Sequence, residues 1–119
     1  MEVLENRIVK EDDAVMFDID NTLIFTNGQA NTSIIDLLYG ALDLGYKIII
    51  ITARPALPLT MTLTKAQLNK YDIPYHKLYI TPAANKGNVK RRTGLNYVLS
   101  VGDQDTDLTD SEYAMKIEL

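Results

Sequence analysis

Asp18 and Asp20 stand one residue apart, directly after the apolar run Ala14-Val15-Met16-Phe17. That run is too short for an ordinary helix and reads as a buried parallel strand ending in a polar loop. Ligands of open α/β sheets bind outside the carboxyl ends of strands, and two carboxylates this close together can share a cation there. Taken alone, such a pair also suits a turn that only needs solvating. Thr52 and Arg54 repeat the layout after a second strand-like run, Tyr46 to Ile51. A guanidinium fork at such a place fits phosphate geometry, and it also pairs readily with a nearby acid. Lys86 lies near the start of a short polar helix, where the helix dipole disfavours a cation, so either a site needs its charge or it is an ordinary surface lysine. Lys90, Arg91 and Arg92 follow within two turns, as a basic patch or as a solvated face. After the run Tyr97 to Val101, Gly102 permits a sharp backbone turn, Asp103 can reach a metal, and Asp107 can brace the loop or the metal's waters. Asp105 and Asp110 are expected to face solvent.

The elements that must hold these residues follow from periodicity. Ser33 is a candidate N-cap for a helix to about Leu44, with Ile34, Leu37, Leu38, Ala41 and Leu42 on one face and Gly45 as the stop. Pro55 and Pro58 are expected to keep the chain out of helix until Thr60, after which a helix runs to about Tyr71. Lys77 to Ile80 is a short strand, Asn85 to Arg92 a short polar helix with Val89 as its one buried anchor and Gly94 as its stop, and Tyr113 to Ile117 a candidate fifth strand. Residues 1–13 allow either an edge strand or a short helix. Strands alternating with helices indicate an α/β fold, a Rossmann-like three-layer α/β/α sandwich around a five-stranded, mainly parallel sheet. Asp18, Thr52 and Asp103 then share one rim of it.

Phe17 to Leu23, FDIDNTL, resembles the D-x-D-x-T-L nucleophile motif of the haloacid dehalogenase superfamily. Three further motifs follow in order, at Thr52, at Lys86 and at Gly102-Asp103, so the resemblance covers nearly the whole chain. It implies the strand order fifth, fourth, first, second, third. It also implies a Mg²⁺-dependent phosphatase that hydrolyses a phosphate monoester through an aspartyl-phosphate on Asp18. Carried onto matching positions, Asp20 is the general acid and base, Thr52 and Lys86 hold the phosphoryl group with Arg54 and Lys90 beside them, and the metal is held by Asp18, Asp103, a backbone carbonyl near Asp20 and, from behind, Asp107. The wording Gly102-Asp103-Gln104, Asp107-Leu108 is most similar to the acid phosphatase branch, the plant vegetative and bacterial class B enzymes. That branch carries Lys-x-x-x-Arg before this loop, where Lys86 and Lys90 stand here, and its members are longer and exported.

About ten residues separate Leu23 from the next helix, which rules out a cap domain there. Capless relatives act on large substrates or borrow cover from another subunit, so a nucleotide or nucleic-acid end is an alternative substrate and a homo-oligomer could cover the site. A non-catalytic binding module and an Asp-phosphorylated receiver domain are the rival readings. Asp18, Asp20, Thr52, Lys86 and Asp103 together speak against the first. The second has no need of Asp20.

At 119 residues the chain has room for one domain, spanning residues 1–119. A hydrophobic content of 46% with 24% charged residues is globular composition, and no apolar run is long enough for a bilayer. The first residues lack the layout of a secretory signal and there is no cysteine, which sets a cytoplasmic location as the expectation and excludes thiolate chemistry. A net charge of -4 and a pI near 4.8 argue against a general nucleic-acid binder while leaving room for a local basic patch.

Overall fold

A computed structural model describes residues 1–119. Its centre is a five-stranded sheet of β1 (Asp13–Phe17), β2 (Lys47–Thr52), β3 (Lys77–Ile80), β4 (Asn96–Gly102) and β5 (Tyr113–Lys116), in the order β3-β2-β1-β4-β5. Every neighbouring pair is parallel. All five residues of β1 are buried, as are the last five of β2 and the last six of β4. Strands covered on both faces have no polar side to alternate with, which is why these runs are continuously apolar. Each isoleucine from Ile48 to Ile51, at most 1% exposed, adds about 1.5–3 kcal/mol by burial. The edge strands β3 and β5 are half-buried or exposed.

The helices are α1 (Glu2–Glu5), α2 (Thr32–Leu44), α3 (Pro58–Lys70) and α4 (Lys86–Thr93). The larger core cluster lies between the sheet and α2 and α3, where Ile34, Leu38 and Leu68 meet Val15, Phe17, Ile48 and Ile50. A smaller cluster on the opposite face joins Val89 of α4 to Ala14, Met16, Ile49, Ile51 and Tyr97. The result is an α/β/α sandwich without a cap domain. Between β1 and α2 the chain forms only a small flap, with an antiparallel bridge from Ile24 to Ala30 across Asn27-Gly28.

Several boundaries differ from the periodicity reading. α2 begins at Thr32 with Asn31 at its cap, not Ser33. Pro58 is the first residue of α3 and does not delay it, because the first helical position has no use for the N–H that proline lacks. Residues Glu2 to Glu5 are helical, held by a long-range contact in which the Tyr46 hydroxyl donates to the Leu4 carbonyl at 2.8 Å. α2 does end at Gly45, whose φ of 102° turns the chain back toward β2.

Candidate active site

The carboxyl ends of β1, β2 and β4 open on a crevice of about 350 Å³, lined among others by Asp18, Asp20, Arg54, Lys86, Asp103 and Asp107. Asp18 is fixed at its floor. Its N–H donates to the Val101 carbonyl of β4 at 3.0 Å, and its carboxylate accepts from the Thr22 hydroxyl at 3.4 Å and the Lys86 ammonium at 2.9 Å. Lys86 also donates to Asp107 at 2.6 Å and is 2% exposed, so this cation at the start of α4 is wholly committed to the site. Burial pushes the Asp18 carboxyl up to about 7; Lys86 draws it down and Asp107 pushes it further up. Burial opposes the Lys86 charge, but Asp18 and Asp107 more than offset it and hold its pKa above the ordinary lysine value.

Asp18, Asp103 and Asp107 offer oxygens that all lie within 4.8 Å of one another. Three carboxylates against the one Lys86 ammonium leave excess negative charge in a largely buried place, and hard oxygen donors are what a small divalent cation takes. Asp107 is wholly buried and uses one oxygen on Lys86 and the other on the Gln104 N–H, so Asp18 and Asp103 keep the freer lone pairs. The residues present therefore fit a metal ion. Gly102 makes room for this arrangement by close approach, not by an unusual turn: a Cβ there would lie 2.3 Å from Asp107.

Asp20 stands apart from the acidic cluster. Its carboxylate is half exposed and held by Nη2 and Nε of Arg54, at 2.9 and 3.1 Å, so a metal near Asp20 would meet its backbone and not its side chain. The turn beyond it places Asn21 at φ 61°, a conformation asparagine tolerates better than most residues. The Thr52 hydroxyl, at the end of β2, is buried and has no hydrogen-bond partner, so a ligand oxygen would satisfy it.

Lys90 is placed differently from its expected role. It is 1% exposed and donates to Ser100 Oγ and the carbonyls of Asp107 and Thr109 at 2.6–2.9 Å, away from the crevice lining. Burial draws its ammonium down to about 8. Of the two arginines that follow it, Arg91 pairs with Asp110 at 2.7 Å and Arg92 lines a different depression, so neither adds to a basic patch at the crevice. Val89 is accordingly not the only buried residue of α4. Asp105 and Asp110 are exposed, as expected. Thr22, Asn21, Gln104 and Thr106 also line or support the crevice. Of these, Thr22 had a signal in the sequence, as the threonine of D-x-D-x-T.

Residues 15–98 match the haloacid dehalogenase-like hydrolases. The chain belongs to this family. As a family member it carries the clustered active-site aspartates expected of a phosphatase. Among solved structures it is similar to a chain of the Pnkp1/Rnl/Hen1 complex, with 20% identity and a TM-score of 0.68 over 89% of this chain and 46% of that one. A structure of the Pnkp1/Rnl/Hen1 RNA repair complex gives 20% identity and a TM-score of 0.68 over 93% and 45%. At this identity the likeness is one of fold, and the chain spans under half the length of the chains it matches. No curated protein matches it in sequence. No helix is long and apolar enough to cross a membrane.

Proposed function

We propose that this protein is a Mg²⁺-dependent phosphatase that removes the phosphate from a nucleic-acid end through an aspartyl-phosphate on Asp18. The observation that carries the reading is Asp18 itself, buried against Lys86 within the acidic cluster, in a crevice that no cap covers and beside the end of β2, where the Thr52 hydroxyl has no partner. The acid phosphatase wording of the Gly102-Asp103 loop supports hydrolysis of a phosphate monoester. The open crevice and the fold shared with a chain of an RNA repair complex favour a polynucleotide over a small phosphorylated metabolite.

Asp18 and Asp103 would hold the ion with the backbone at Asp20, and Asp107 would brace them from behind. Bound there, Mg²⁺ supplies positive charge between two anions that otherwise repel, the Asp18 carboxylate and the phosphate. Lys86 and Thr52 orient the phosphoryl oxygens. An Asp18 oxygen attacks phosphorus as the bond to the leaving oxygen breaks, and Asp20, freed from Arg54 and protonated from solvent, gives that oxygen a proton. Water then attacks the acyl phosphate and gives its proton to Asp20, which restores both residues and releases inorganic phosphate. Arg54 occupies both Asp20 oxygens in the free protein, so it must let go for Asp20 to act, and the incoming phosphate offers its guanidinium an alternative partner.

The test is a panel of 3′- and 5′-phosphorylated oligonucleotides, nucleoside monophosphates, sugar phosphates, a phosphopeptide and an aryl phosphate, each with Mg²⁺ and with chelator. An oligonucleotide end should give the highest kcat/KM, and Asp18→Asn should abolish all turnover. Sugar phosphates turning over best would refute the substrate class, and activity in excess chelator would refute the metal.

A further inference from the structure

On the sheet face opposite α2 and α3, α4 supplies the one helical residue of the smaller core cluster, and the β2–β3 edge beside it is left partly open. Two depressions lie along this flank. One, of about 150 Å³, is lined by Tyr79, Val89, Arg92 and Thr93. The other, of about 420 Å³, takes in Lys47, His76, Lys77, Tyr79, Thr93 and Leu95. Tyr79 and Thr93 belong to both, which makes them one trough, and no carboxylate lines it.

Of the twelve lysines and arginines, Arg7, Arg54, Lys86, Arg91 and Lys116 are paired with an acid. Lys47, Lys77 and Arg92, like Lys10, Lys65 and Lys70 elsewhere, have no ion-pair partner, and these three share one trough with no carboxylate among its lining residues. A protein of net charge -4 thus keeps three free cations around one half-buried tyrosine ring. His76 accepts the Ile48 N–H on Nδ1 at 2.8 Å, which leaves Nε2 as a donor. α4 joins the trough to the catalytic crevice: Lys86 lines the crevice and Arg92 and Thr93 line the trough. Arg92 lies about 9 Å along the helix from Lys86, and Lys47, the first residue of β2, lies about 17 Å along the strand from Thr52 at the rim, so the trough spans about three to five nucleotide steps from the crevice.

We propose that this trough binds the polynucleotide strand leading to the phosphorylated end, with its phosphates on Lys47, Lys77 and Arg92 and a base stacked on Tyr79. The proposal rests on the reading of the crevice as a nucleic-acid-end phosphatase. Free cations select an anionic polymer, and an aromatic face among them selects one that carries bases.

The experiment compares terminally phosphorylated single strands, from mononucleotide to hexanucleotide, with an aryl phosphate. kcat/KM should rise about tenfold or more over the first few nucleotides and then level off. The triple variant Lys47→Glu, Lys77→Glu, Arg92→Glu should lose that gain, keep its aryl phosphate turnover, and reduce the logarithmic salt slope for oligonucleotides by about 2. Tyr79→Ala should cost oligonucleotides about tenfold and the aryl phosphate nothing. Oligonucleotide turnover that is independent of length, or unchanged in the triple variant, overturns the trough alone. Aryl phosphate turnover with no oligonucleotide end accepted overturns the substrate class and the trough with it. A phosphopeptide whose turnover falls in the triple variant while oligonucleotides are unaffected assigns the trough to a protein substrate and overturns the proposal.

Discussion

Asp18 combines burial with three charged neighbours, and its titration follows from them. Its pKa is raised from an ordinary value of 3.8 to about 7. The folded protein therefore holds this proton more tightly than the unfolded chain, and the stabilisation is complete below 3.8 and lost as pH rises through about 7. Metal-free protein should lose stability across that window, and Asp18→Asn should remove that part of the slope; equal slopes in urea denaturation with chelator would contradict the burial argument. Lys86→Met leaves Asp18 and Asp107 buried without their cation. It should destabilise the fold by about 3–5 kcal/mol and move the Asp18 carboxyl, followed by NMR, to a still higher pH. Asp20 is tested separately. Asp20→Asn should slow turnover roughly 10²- to 10⁴-fold and leave Mg²⁺ affinity by calorimetry nearly unchanged, because its side chain faces Arg54 and not the acidic cluster. Loss of metal binding as complete as in Asp103→Asn would refute that division.

The loop after β4 is the element on which the site's geometry depends. Lys90 ties it to β4 and α4 through three hydrogen bonds, and Gly102 lets Asp107 pack against the strand end. Lys90→Met strands those oxygens and should cost on the order of 3 kcal/mol in thermal or urea unfolding. Gly102→Ala pushes Asp107 off its place and should lower kcat more than KM, with far-ultraviolet circular dichroism unchanged; unaltered kcat would mean that Asp107 does not position the site. The three central strands were legible because burial on both faces writes itself as a plain apolar run, and Asp18 and Asp103 were legible as acids at strand ends. Lys90 was not, since its burial depends on a loop nearly twenty residues away folding over it. The Asp20–Arg54 pair, thirty-four positions apart, and the Tyr46–Leu4 contact that fixes α1 are equally products of tertiary packing. Pro58 misled because proline forbids a helix interior but suits a helix start.

Because every strand pairing is parallel, the carboxyl ends of β1, β2 and β4 all reach one rim, and side chains far apart in sequence converge there. The same topology leaves the β2–β3 flank thinly covered, with the free cations Lys47, Lys77 and Arg92 at its amino-terminal end and α4 running from there to the rim. Chemistry at the rim and strand binding along the flank would suit the protein to chain ends. The central claim is the covalent step on Asp18, and it can be trapped. Protein mixed with a radiolabelled phosphorylated oligonucleotide and Mg²⁺ is quenched in acid within a single turnover, and the labelled peptide is sequenced by mass spectrometry. Label on Asp18, absent in Asp18→Asn and absent with chelator, is the expected result. Turnover of the same oligonucleotide with no label at Asp18, or with label on another residue, would contradict it.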